Sequence, residues 1–213
     1  MKKKDRRGSA EGSSQDALGP LQDLIRQLRS GARTKTQLVD FNEGRNPFVR
    51  KLGGLIFPVW KTIKLGTGLK TADDFRQALK ASRFEIGNWA NDILGKPAFT
   101  AAAKETEVEL VRVSVAELGF KNGATRQDIY QRAQELGLEL CPNEVGPQLR
   151  LQYKDQPYNE WLRIAMESIA GSGGGLVVFG VGRVDGDQWL GGGCGTPDCF
   201  WCGGGQWVFV RRK

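Results

Sequence analysis

The sequence predicts an α+β fold: a helical N-terminal half followed by a four-stranded antiparallel β-meander, behind a disordered basic N-terminal tail. Three observations predict it. Apolar residues at helical spacing, with helix caps and glycine stops, dominate as far as Arg150. β-branched and glycine-rich runs dominate after it. The first 18 residues hold almost no large apolar side chain, so they bury too little surface to offset the entropy of ordering.

Residues 1–18 are therefore expected to be a disordered basic tail, and 19–100 a mainly helical basic region. Leu21, Leu24, Ile25 and Leu28 follow the i, i+3, i+4, i+7 spacing of a helix face, and Gly31 stops it. Residues 40–50 read as loop. The apolar run from Leu52 to Trp60 contains Pro58, which forbids a helix interior or a central strand. It reads as a buried or edge segment in preference to a docking patch. Thr71 with Asp73 and Asp74 resembles a capped helix start, with Phe75 and Leu79 on its inner face. Ile86, Trp89, Ile93 and Leu94 mark a second helix, closed by Gly95 and Pro97.

Residues 101–213 form the expected α+β body. Val108, Val111, Val115 and Leu118 predict a helix over 105–118, ended by Gly119. Thr125 and Asp128 open a helix over 125–136, with Ile129, Ala133 and Leu136 inward. Pro142 precedes a short helix over 143–150. Strands follow near 160–167, 176–182, 187–190 and 206–211, with Asp185-Gly186 as a hairpin turn.

The net charge of +7 is unevenly placed. Residues 1–70 carry 15 Lys+Arg against 6 Asp+Glu, whereas 101–213 carry 12 against 14. Lys2, Lys3, Lys4, Arg6 and Arg7 thus form a cationic arm suited to polyanions, nucleic acid above all. The absence of histidine removes His-dependent triads and HExxH zinc chemistry. No apolar core follows the basic N-terminus as a signal peptide would need, and no run reaches the length of a membrane span. A cytoplasmic protein is expected, with its cysteines as thiols or metal ligands rather than disulfides.

Three constellations bear on function. Helices 105–118, 125–136 and 143–150 followed by hairpin strands match the order of a winged helix. Asn143, Gln148, Arg150 and Gln152 would then read bases, while Lys154 and Arg163 would reach phosphates. Cys194, Cys199 and Cys202 could hold zinc, with Cys141 as a distant fourth ligand, although a zinc ribbon would show two CxxC pairs and this chain has one. Cys199 and Cys202 could instead be a redox pair, and free thiols in a glycine-rich loop are the plainest alternative. Third, Glu144, Arg150, Asp155 and Gln156 crowd together in sequence. Acid/base work by Glu144 with Asp155 or Glu160 competes there with a buried network and an Arg–carboxylate pair. Gly171 to Gly175 lacks the Gly-Lys-Ser/Thr of a phosphate loop.

The runs 116–126, 137–142 and 144–153, the closing Val208–Lys213 and the stretch Trp89–Phe99 resemble a group of short uncharacterised bacterial proteins, met mostly in uncultured bacteria. The resemblance covers roughly residues 40–213, which implies one integrated unit. It implies no catalytic residues, and it does not extend to the three-cysteine loop. The expectation is a non-enzymatic bacterial binding protein, nucleic-acid-associated through its arm and a winged-helix-like body. The alternative is a protein-interaction or structural protein, zinc-stabilised through the cysteine loop. No other cofactor is expected.

Overall fold

The computed structural model describes residues 57–211. Lys2, Lys3, Lys4, Arg6, Arg7 and the expected helix at Leu21–Leu28 lie outside the described residues. From Val59 the chain forms one compact unit. Its elements run β1 (Lys61–Leu65), α1 (Ala72–Ala81), β2 (Glu85–Ile86), α2 (Asn88–Leu94), β3 (Thr106–Ser114), β4 (Ala124–Thr125) and α3 (Arg126–Glu135). There follow β5 (Leu138–Glu139), α4 (Val145–Gln152), β6 (Trp161–Ile164), β7 (Ile169–Ala170), β8 (Leu176–Val184), β9 (Asp187–Cys194), β10 (Phe200–Trp201) and β11 (Gln206–Arg211).

This architecture overturns the expected helical half followed by a meander. Nine strands form one curled, mixed sheet, in the order β1-β3-β11-β6-β8-β9-β2, with β5 on β11 and β7 on β8. The later strands do not run as a meander, because β11 lies parallel to β6 and inserts between it and β3. A separate two-stranded ribbon joins β10 to β4.

The largest correction concerns 105–118, expected as a helix and found as the long strand β3 followed by a turn. Four of its nine residues, Thr106, Val108, Val111 and Val113, are β-branched, which favours a pleated backbone. Its apolar side chains switch face along the strand. Val108 and Leu110 sit opposite Ile63 and Lys61 of β1, while Val111 and Val113 sit opposite Phe209 and Trp207 of β11. A strand covered on both sides reads as a near-continuous apolar run, so periodicity alone cannot separate it from a helix. With that helix gone, the winged-helix order goes too.

The helices are short and lie against the sheet. Thr71 accepts a hydrogen bond from the Asp74 amide, and Asp74 accepts from the Thr71 and Lys70 amides, a capping box that fixes the start of α1. Thr125 caps α3 in the same way through the Asp128 amide. One side of the sheet buries Leu162, Val181, Phe179 and Leu190 under α2 and α4. There α4 comes so close that a Cβ on Gly146 would stand 2.6 Å from the Phe179 ring. The opposite side buries Trp207 and Phe209 against Tyr130 of α3, with edge-on rings at 5.5 and 6.0 Å. At the β8–β9 hairpin Asp185 and Gly186 both take positive φ, at 52° and 94°, the conformation of the tight turn expected there.

Candidate functional site

Of the residues expected to read bases, Gln148 and Arg150 are 1% and 0% exposed. Both belong to an internal polar clamp. Glu144 is also buried; its carboxylate accepts from the Gly66 amide at 2.9 Å, the Ala102 amide at 2.7 Å and the Gln148 amide group at 2.9 Å. Gln148 also donates to Thr67 Oγ1. Gln152 imitates a strand partner: it accepts from the Lys64 N–H and donates to the Lys64 carbonyl, at 2.9 and 2.8 Å. The three side chains stitch α4 to β1 and to the loops beside it. Lys154 is exposed, and its carbonyl accepts from Gln188.

Arg150 lies beneath the β8–β9 hairpin. Its guanidinium donates to the Gln156 side chain, the Tyr153 carbonyl, Gln188 Oε1 at 2.8 Å and the Gly182 carbonyl, and it stacks on Phe84 with 4.7 Å to the ring centre. All these acceptors are neutral, so the expected Arg–carboxylate pair is replaced by an amide and carbonyl cage. Burial lowers the Arg150 pKa to about 10, which leaves it charged at neutral pH. Glu160 serves other partners. It accepts from Tyr153 Oη at 2.8 Å and pairs with Arg112 at 2.6 Å. Asp155 pairs with Lys61 at 3.7 Å. Glu144 and Asp155 thus hold separate partners and do not form an acid/base dyad.

The opposite sheet face carries a different assembly. Trp161 of β6 lies flat on a glycine pavement: a Cβ on Gly182 would stand 1.7 Å from its ring, and one on Gly191 2.6 Å. Arg163, two residues on, sits between Trp161 and Trp201, with 5.0 Å to each ring centre. Its Nε and Nη1 are buried without a hydrogen-bond acceptor. Burial lowers its pKa to about 10, with the Cys199 thiol pulling the other way.

The cysteine loop closes over this ladder. Its carbonyls cap α3: the Arg126 amide donates to Cys199 at 2.9 Å and the Gln127 amide to Pro197 at 3.0 Å, while Arg126 Nε donates to the Thr196 carbonyl. Cys194 and Cys199, both half-buried, stand at the two ends of the Gly195–Asp198 turn. Cys194 Sγ lies 3.3 Å from Thr196 Oγ1. Burial alone would raise both thiols. Hydrogen bonds from Cys199 and Thr196 outweigh it at Cys194, which falls below the usual thiol range, whereas Cys199 is pushed up to about 11. Cys202 is exposed. Cys141 is buried elsewhere, its thiol on the Val208 carbonyl and its pKa raised by burial. Among the described residues no three Cys, Asp or Glu side chains gather at metal-binding distance.

Beside Trp161, an open cleft of about 180 Å³ is lined by Trp161, Val184, Asp185, Asp187 and Trp189. Trp161, Gly182 and Trp189 stand opposite one another across β6, β8 and β9, and the Trp161 ring fills the space that Gly182 leaves. Asp185 and Asp187 take part in no ion pair among the described residues. Nothing in the sequence patterning singled out this cleft; the one signal available was a pair of tryptophans in strands separated by a Gly-rich strand.

Compared with known proteins, the chain matches no family, no curated protein and no solved structure. No helix among the described residues is long and apolar enough to cross a membrane.

Proposed function

We propose that the protein is a non-enzymatic binding protein that associates with nucleic acid through its cationic N-terminal segment, the folded body making no base readout. One observation carries this reading, the segregation of charge. Residues 1–56 hold 12 Lys+Arg against 6 Asp+Glu, and residues 57–211 hold 17 against 18. Within the body, Lys64, Arg76, Lys96, Arg112, Arg132 and Arg211 are in ion pairs, and Arg150 is buried. Net cationic charge therefore belongs to residues 1–56, which include Lys2, Lys3, Lys4, Arg6 and Arg7. Attraction of this kind follows phosphate density and is driven by counterion release.

The test is a titration of labelled single-stranded RNA and duplex DNA with the full chain and with a variant carrying Gln at those five positions, at about 50 and 200 mM salt. Expected are binding with little sequence preference, a loss of roughly tenfold or more in the variant, and a shallower salt slope. Salt-insensitive binding, or a variant that binds like the parent, would sink the reading.

The cleft favours a second reading, as a protein-interaction module. Two indoles and two uncompensated carboxylates suit a cationic side chain, an alkylammonium above all. Trp189 is the better-placed ring, since Trp161 already serves Arg163. Adding tetramethylammonium should shift the Trp189 indole resonance in an NMR titration, and Asp187→Asn should weaken that shift severalfold. An unmoved Trp189 signal at saturating salt-matched additive would dismiss this use of the cleft.

A further inference from the structure

We infer that Trp161 and Arg163 hold a single halide ion, chloride in solution, against the glycine floor of β8 and β9. Of the seven buried side-chain nitrogens without an acceptor among the described residues, five belong to one stack: Nε and Nη1 of Arg163, and Nε1 of Trp161, Trp201 and Trp207. The stack is continuous. Arg163 lies between Trp161 and Trp201, and Trp201 meets Trp207 edge-on at 5.4 Å. Buried donors are nearly always paired, so a concentration of unpaired ones marks a place where an acceptor belongs.

The protein around Arg163 does not supply that acceptor. Cation–π attraction draws the guanidinium charge to the rings, but gives Nε and Nη1 no acceptor atom. Nor does a carboxylate compensate it, since Arg163 takes part in no ion pair among the described residues. A cation walled in by rings and left without a counter-charge favours an anion over a neutral acceptor.

Glycine geometry brings two of the donors to one place. The position that a Cβ on Gly180 would take lies 3.2 Å from Trp161 Nε1 and 3.3 Å from Arg163 Nη1. Both nitrogens thus border the same side-chain-free patch of β8. The Leu162 carbonyl oxygen, 2.9 Å from that position, repels an anion and keeps it out toward the nitrogens. On β9, a Cβ on Gly193 would stand 3.0 Å from Arg163 Nε, so a larger residue there would push the guanidinium aside. The kind of anion follows from the same surroundings. Beyond these N–H groups the walls are indole carbon and the floor is glycine backbone. Phosphate or sulfate would bring several further oxygens that these walls leave unmet. A halide carries one centre of charge, which a few N–H groups satisfy.

Crystals of the full chain, soaked in sodium bromide and measured at the bromine absorption edge, test this directly. Expected is an anomalous peak within hydrogen-bond reach of both Trp161 Nε1 and Arg163 Nη1. In solution, the saturable part of the chlorine NMR line broadening should disappear in Arg163→Lys, which keeps the charge but not the planar set of donors. Its unchanged net charge leaves nonspecific attraction of chloride as it was. Bromide found only elsewhere on the protein, density beside Trp161 Nε1 with no anomalous signal, or line broadening that Arg163→Lys leaves intact would overturn the inference. The bromide map uses the unsubstituted chain, so it decides the matter even if the variant folds poorly.

Discussion

Arg150 shows at the scale of one residue how a side chain suited to reading a base serves the fold instead. Taking a guanidinium out of water costs several kcal/mol unless its donors are met. Here the Gln156 and Gln188 side chains and two backbone carbonyls meet Nη1 and Nη2, the Phe84 ring covers a face, and Nε alone is buried without an acceptor. The arrangement holds the 153–156 turn to the β8–β9 hairpin. Truncation would leave those acceptors buried and unmet, at about 1–3 kcal/mol for each group that water cannot reach. Arg150→Ala should therefore lower stability by about 3 kcal/mol in urea unfolding. Arg150→Lys should recover only part of it, because one ammonium cannot span a fork of acceptors. A loss of under about 1 kcal/mol for the alanine variant would mean that the cage is not what fixes this turn. The density of polar groups around Arg150 was legible in the sequence, including the chance of a buried network. That its acceptors would be neutral was not, since Gln188 is 38 residues away in the chain.

Elements were legible where a local signal decides them. The capping residues Thr71 and Thr125, the Gly95 stop and the Asp185-Gly186 turn depend on backbone chemistry within a few residues, and the structure places each of them in that role. The strands β6, β8, β9 and β11 begin within a residue of where β-rich composition put them or at that residue. β3 failed because its partners decide it. Val108 and Val111 satisfy a helix face and a two-sided strand alike, only β1 and β11 settle the matter, and Val115 and Leu118 fall in the turn that follows. The alternation of Glu107 and Glu109 with Val108 and Leu110 was the available warning. The site divides along the same line. Three cysteines in one loop were plain to see. How that loop seats on α3, through the carbonyls of Thr196, Pro197 and Cys199, depends on where β9 ends and could not be read beforehand.

For the whole unit, the decisive fact is that its last strand is not at an edge. β11 hydrogen-bonds to β3, β5 and β6, and Trp207, Val208 and Phe209 are all fully buried. Gln206 pairs across to Ser114 and lies beside Leu162 in parallel, so the centre of the sheet closes only when β11 arrives, long after β3 in the chain. Such pairing carries a large loop-closure entropy, and folding should fall in the slow range of milliseconds to seconds. It also means that the β1–β3 and β6–β8–β9 strands have no shared edge without β11. A chain ended after Gly205 loses one strand on paper. In fact it loses the buried Trp207 and Phe209 side chains, about 1.5–3 kcal/mol each, together with the hydrogen bonds of two sheet halves. This approaches the total stability of an ordinary domain, about 5–15 kcal/mol. The truncated chain is expected to show no cooperative thermal transition by circular dichroism, whereas one ended after Arg211 unfolds in a single step. A sharp transition in the chain ended after Gly205 would show that the two halves of the sheet hold themselves together, and that β11 only decorates them.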